Sequence, residues 1–407
     1  MKFHRFILVL PFFIILSCGQ QKEKPAPVTF QEDIDFLKQY TDVVVLSDES
    51  GKAQVATVPG MQGRIMTSTA DGPEGISFGW INRQLIQSGE NNPHINAYGG
   101  EDRFWLGPEG GQFSIFFKNG DPFDLEHWFT PPPINEGAYD VVAKGSDRIL
   151  FRKAMHLVNY SKAEFDLELN RQVRLLPAEE ISQRLGMELD SSLKVVAFES
   201  NNTITNTGSN AWKKESGLLS IWILGMFNPS PKTTVVVPFI PGPEDELGPI
   251  VNDRYFGKVP SDRLVIKEDV IFFLGDGKYR SKIGVSRKRC KPILGSYDAI
   301  NKVLTLVQFN LPEDAVDYVN SMWEIQDKPY QGDVVNSYND GPTEPGGKPL
   351  GPFYELETSS PAAALKPGES LLHTHRTIHL LGDEAALDKV AQKQLGVSID
   401  EIKNAFK

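Results

Sequence analysis

Glu355 and Glu357 stand two residues apart, so on a β-strand their carboxyls share one face. Two buried carboxylates side by side push one pKa upward, which suits a group that must move protons. A strand bend would separate them instead, leaving one to pair with an arginine. A second group, Glu101, Asp102, Arg103, Trp105 and Glu109, lies in the Gly-rich stretch Gly99–Gly111. Carboxylates and a guanidinium hold sugar hydroxyls, and an indole offers a flat apolar face to a sugar ring. Trp222, in the apolar run Gly217–Phe227, is a second such indole. Glycines at both ends of 99–111 predict a tight loop, in which Arg103 either meets a ligand or braces the loop on a glutamate.

His127 precedes Trp128 and the stiff segment Phe129-Thr130-Pro131-Pro132-Pro133. A histidine titrates near neutrality and could supply a proton, or it could simply be hydrogen-bonded within its loop. Asn336 to Gly341 opens a Pro/Gly-rich loop, which puts Tyr338, Asn339 and Asp340 where a rim could close over a ligand. Asn and Asp also favour turns for local reasons. His373 and His375 share a strand face with His379 beyond them, and His375 is counted with the ligand contacts. A metal needs three or four ligands held close together; this alternation reads instead as a solvent-facing edge strand. No metal and no cofactor is expected. The dinucleotide-binding glycine fingerprint, the zinc helix motif and the Gly-x-Ser-x-Gly elbow do not occur.

Positioning these groups falls to many short runs of apolar or alternating residues bounded by Gly, Pro, Asn and Asp. They extend from Val43–Leu46 and Ala53–Val58, through Gln112–Phe117, Ala163–Leu176, Leu193–Thr205 and Tyr318–Gln326, to Phe353–Thr358 and His373–Leu381. More than a dozen such runs predict an all-β sandwich. In Ala163–Leu176, Phe165, Leu167 and Leu169 alternate with Asp166, Glu168 and Asn170, so one face is buried and the other wet. Helical spacing marks Phe30–Tyr40, Glu179–Leu185 and Glu384–Leu395, and Ser398 to Glu401 forms a capping box. The domain is read as one β unit over residues 30–382, with a helical tail over 383–407 packed on it.

The first 17 residues have Lys2 and Arg5, then an apolar run too short to span a bilayer, the pattern of a removed signal peptide. Ile15-Leu16-Ser17-Cys18 resembles the lipobox of bacterial lipoproteins, in which the new N-terminal cysteine carries lipid. Residues 18–29 then serve as a polar tether, and the chain is expected in the periplasm or on the cell surface, held at the outer membrane. The net charge of −11 becomes −13 once the two signal cations leave. Together with the lack of basic blocks, that excludes nucleic acid as the partner. With Cys18 acylated, Cys290 has no partner for a disulfide.

The segment ELETSSPAAALKPGESLLHTHRTIHL, Glu355 to Leu380, resembles the closing strands of aldose 1-epimerases, the galactose mutarotases. The match lies in Leu356-Glu357-Thr358, Pro361, the turn Leu365-Lys366-Pro367-Gly368-Glu369 and the final strand. Asn96 to Phe117 is similar to the Arg/Trp-bearing segment of mutarotase-like lipoproteins of Bacteroidota. The resemblance implies a β-supersandwich with short N- and C-terminal helices, a carbohydrate ligand, and Glu357 as the base at the anomeric hydroxyl. The family's acid is a histidine from an earlier strand, and the comparable stretch, Ile204 to Phe227, contains none. The acid would then come from His127, Glu109 or Glu355. The expectation is a carbohydrate-active enzyme of epimerase, lyase or hydrolase type, against a non-catalytic glycan-binding lipoprotein or an envelope scaffold.

Overall fold

Alternation is the organising feature of the longest strands. Glu164–Leu175 buries every second residue from Phe165 to Leu175 and leaves the others wet or partly wet, so its apolar face must be covered by another layer. The computed structural model describes residues 27–344 and 346–407; the signal segment, Cys18 and most of the tether lie outside the described residues. Eighteen strands form three antiparallel sheets among the described residues.

The largest sheet has ten strands, with Ser370–Leu381 between Val303–Phe309 and Lys194–Asn206 near its middle. Facing it is a five-stranded sheet ordered Ser281–Ser286, Asp333–Asn339, Tyr354–Ser359, Ser220–Phe227 and Arg103–Gly107. Phe104, Leu106, Ile223 and Leu219 from the smaller side meet Phe151, Leu167, Val173 and Phe198 of the larger in one apolar core. Leu356, Val335 and Phe227 meet Val235, Phe273 and Val307 in a second. This is the all-β supersandwich that the sequence predicts.

The outer face of the ten-stranded sheet is covered by the C-terminal helices. Leu387, Val390, Leu395, Ile399 and Ile402 pack on Val236, Phe272, Leu306, Ile378 and Leu380. Glu384–Leu395 is a helix over the range its periodicity indicates, and Ser398 and Glu401 form the capping box that starts Ile399–Lys403. At the other end Thr29 and Glu32 cap helix Phe30–Leu37 in the same way.

Several expected elements are corrected. Gln112–Phe117 and Tyr318–Gln326 are turns and bends rather than strands, each carrying buried side chains on irregular backbone. The predicted loop at 99–111 contains the strand Arg103–Gly107, because Phe104 and Leu106 belong to the inter-sheet core. Asn336 and Asn339 lie inside the strand Asp333–Asn339, and the loop opens only after it. The histidine-bearing strand is interior, not an edge, so His373, His375 and His379 are all buried between the sheets. Cys290 is also buried, and burial pushes its thiol up to about 12, which makes it a core residue without reactivity.

Candidate functional site

The five-stranded sheet has two faces, and period two decides which residue lies on which. Register pairs Trp105 with Trp222, Arg103 with Leu224, Glu357 with Leu224 and Asn336, and Lys282 with Tyr338. These residues and Glu355 therefore share the face turned away from the ten-stranded sheet. Loops close over that face and leave a cavity of about 410 Å³. Arg103, Trp105, Trp222, Lys282 and Glu355 form its floor, while Trp128, Trp323, Phe256 and Phe353 wall it. The indoles brace one another: Trp105 meets Trp222 edge-on at 5.5 Å, and Trp128 stacks on Phe116 at 5.7 Å and Trp323 at 6.0 Å. Such aromatic walls around a few fixed polar groups are the usual make-up of a small-molecule site.

The polar floor is organised around two carboxylates. Arg103 Nη2 donates to Glu355 Oε1 at 3.2 Å, and its guanidinium lies 4.1 Å from the Trp105 ring centre. Lys282 Nζ and Trp222 Nε1 both donate to Glu357 Oε2, each at 2.9 Å. The Lys282 ammonium also sits 4.6 Å from the Trp222 ring centre. Burial raises the Glu355 pKa well above the ordinary carboxylate value; Arg103 opposes this and the charge of Glu357, two residues along the same strand face, adds to it. Burial works against the Lys282 ammonium, yet Glu357, Glu109 and Glu355 outweigh it and hold its pKa above normal. Glu109, also on the cavity, is raised by burial against the pull of Lys282. The site thus offers two carboxyls biased toward protonation and one carboxylate matched to a buried cation. That set can donate a proton, accept one and orient hydroxyls.

The remaining candidates divide sharply. Tyr338 and Asp340 line the cavity, with the Tyr338 hydroxyl donating to Asp340 at 2.8 Å and Gly351 N–H donating to the same carboxylate at 2.9 Å. Glu357 is fully enclosed and lies behind the residues that line the cavity, so Glu355 takes the accessible position expected of Glu357. Asn339 points to the other face. Its amide donates to Tyr279 O at 2.9 Å and its oxygen accepts from Gly277 N–H at 2.8 Å, which makes it a strand brace instead of a ligand contact. Glu101 is buried between sheets, bonded to Ser68 and to His379 Nε2 at 2.7 Å. Asp102 is an equally buried partner of Arg171 at 2.7 Å.

His375 shares the Thr358 hydroxyl with His373, each at 2.8 Å, and burial lowers its pKa to about 4. It faces the inter-sheet core and does not reach the cavity. His127 turns outward to Asp124 at 2.7 Å while its neighbour Trp128 turns in, so the proposed replacement acid is misplaced. Sequence reasoning missed Lys282, Arg280, Phe256 and Trp323. For Lys282 a signal existed: it opens a short strand run, and a cation on a strand face requires a partner if it is buried. Among the described residues no group of three or more His, Cys, Asp or Glu side chains could hold a metal ion.

Residues 28–406 match the family of unknown function (DUF6786), and the chain belongs to that family. No curated protein matches it. Solved structures whose names describe an aldose 1-epimerase or a galactose mutarotase-like protein are among those similar to it in fold. One is an Escherichia coli protein provisionally named an aldose 1-epimerase, at 11% identity and a TM-score of 0.49 over 84% of this chain and 99% of that one. A Synechocystis protein aligns at 13% identity and TM-score 0.47, covering 84% and 96% of the two chains. A galactose mutarotase-like protein from Lactobacillus casei aligns at 11% and 0.43, covering 83% and 100%.

Proposed function

We propose that the cavity binds a sugar or glycan fragment and that Glu355 moves a proton on it, with Glu109 as the second acid/base group. The observation that carries this reading is the position of Glu355. It lines an indole-walled cavity, and burial and Glu357 hold it protonated at pH values where an ordinary glutamate is ionised. A protonated carboxyl at that position can donate to a ring or leaving oxygen, which is the role that the missing histidine leaves open. Glu357, matched to Lys282 and Trp222, sets the charge beside Glu355 without touching the ligand. The test is to incubate the protein with free hexoses, uronic acids, methyl glycosides and oligosaccharides and to read products by NMR. Glu355→Gln should abolish conversion and spare binding; conversion at the unmodified rate would sink the assignment.

A second reading is a glycan-binding protein without turnover. It is favoured by the matching of each floor cation, Arg103 with Glu355 and Lys282 with Glu357, before any ligand arrives. Such a protein would lose affinity on Trp105→Ala or Trp222→Ala and would release every sugar unaltered. We also infer that lipid on Cys18 tethers the chain at the outer membrane, in the periplasm or on the cell surface. The support is the residue pattern from Lys2 to Val28. Labelled palmitate should enter the native chain and not the Cys18→Ser variant.

A further inference from the structure

The cavity floor has a far side. Lys282 and Trp222 line the cavity and also bound a second space of about 10 Å³, enclosed with Ser220, Tyr255, Asp333 and Asn336. That volume is about what one water molecule requires, and the walls supply more than two polar partners for it. Two unbalanced hydrogen-bond inventories point to such a guest. Lys282 has three N–H donors and spends one of them on Glu357. Ser220 Oγ is buried without a partner among the described residues.

Glycines keep the space clear. Gly107 lines it, and a Cβ there would come within 3.0 Å of Ser220 Oγ. A Cβ at Gly284 would lie 2.1 Å from Asp333 Oδ2, so the bare backbone lets that carboxylate approach the sheet. Beyond the space, the Tyr255 hydroxyl donates to Asp333 Oδ2 at 2.6 Å, and Asn336 Nδ2 donates to the Tyr255 oxygen at 3.2 Å. Asp333 also lines a separate pocket of about 530 Å³, together with Asn252, Asn320 and the exposed Arg254 and Lys258.

We propose that the small space is a one-water site and that Glu355, Glu357, Lys282, this water, Tyr255 and Asp333 form a proton path from the cavity floor to the second pocket. The path rests on the acid/base reading of Glu355 above. A ligand that fills the cavity cuts its carboxyls off from bulk water, so a proton taken from the ligand needs another exit. Glu355 passes its own proton to Glu357 and takes the ligand's proton in its place. Lys282 yields one of its protons to the water and takes the proton from Glu357 as replacement, while the water protonates the Tyr255 oxygen as the Tyr255 hydroxyl proton moves to Asp333. Asp333 releases that proton into the second pocket. One proton enters and one leaves, and every group ends in its starting charge. Burial raises the Asp333 pKa, so the carboxylate can hold the proton in passing. Tyr255 and Asp333 are thus positioning and relay groups that never touch the ligand.

The experiment has two arms. Magnetic relaxation dispersion counts long-lived internal waters in the full protein and in Gly107→Ala, whose added methyl fills the space. The expected result is one water fewer in the variant, and equal counts overturn the site. In the second arm, conversion of any glycan that the unmodified protein turns over is measured for Asp333→Ala and Asp333→Asn. Both should be slowed about tenfold or more, less than the ~10²–10⁴-fold effect of a direct acid/base group. Formate, small enough for the second pocket, should restore Asp333→Ala but not Asp333→Asn, where the amide still occupies the position. Full-rate conversion, or a slow Asp333→Ala that ignores formate, overturns the path and leaves the reading of Glu355 standing. If the unmodified protein converts no glycan, the acid/base reading falls and the path with it, and the water count alone then judges the site.

Discussion

Replacing Lys282 by methionine tests whether Glu357 is a counter-charge locked into the floor or a free base. The side chains of Lys282 and Glu357 are 7% and 0% exposed, so neither charge can turn to solvent for compensation. Removing one partner of a buried pair costs roughly 3–5 kcal/mol, because the other is left as an unpaired charge in a poorly polarisable setting. In Lys282→Met, Glu357 keeps one donor, Trp222 Nε1 at 2.9 Å, which places the loss toward the lower end of that range. Glu357→Gln leaves Lys282 with Glu109 and Glu355 still in electrostatic reach, so its cost should be smaller. The double variant removes both charges and should be more stable than the sum of the singles predicts. The coupling should fall within the ~0.5–3 kcal/mol typical of contacting residues. Denaturant midpoints with slopes, measured for the four proteins at one pH, give that coupling. Additivity within about 0.5 kcal/mol would refute the locked pair and return Glu357 to the list of free bases.

Three further outcomes follow from the same geometry. The raised Glu355 pKa means that the folded state holds a proton which the unfolded state releases near pH 4, so stability should fall as pH rises from there to the raised value, by ~1.4 kcal/mol per pH unit. Melting curves across pH should show this slope in the native protein and lose it in Glu355→Gln. Trp105→Ala should weaken sugar binding by more than about 1 kcal/mol, measured by calorimetry, since the indole is a buried anchor in the cavity floor. Asn339→Ala should cost about 1–3 kcal/mol of stability because the buried Gly277 N–H is left without an acceptor, and sugar affinity should stay unchanged.

The pairing of Glu355 with Glu357 was legible because strand period depends on sequence spacing alone. Which of the two meets the cavity was not, since that depends on Lys282 and Trp222, 75 and 135 residues away from Glu357 in the chain. Glu101, Asp102, Arg103 and Trp105 form one cluster only if the segment is a loop. As a strand starting at Arg103 it sends Arg103 and Trp105 to the cavity, and Asp102 to Arg171 on the core side. His127 fails for a related reason, because neighbours in an irregular loop diverge and only Trp128 is apolar enough to be drawn inward. The two C-terminal helices, by contrast, are legible nearly to the residue, since caps and i, i+3, i+4 patterns are local.

The bond between Arg103 and Glu355 joins residues 252 positions apart. Closing so long a loop costs entropy before any contact repays it, and topologies built on such pairings fold slowly. No segment released early from the ribosome contains both halves of the cavity, which is complete only once the strand Tyr354–Ser359 has docked beside Ser220–Phe227. On the proposed sugar-binding reading, binding would therefore report that this strand is in place. A ligand present during refolding should leave the early collapse unchanged and stabilise only the completed chain, by mass action on the native state.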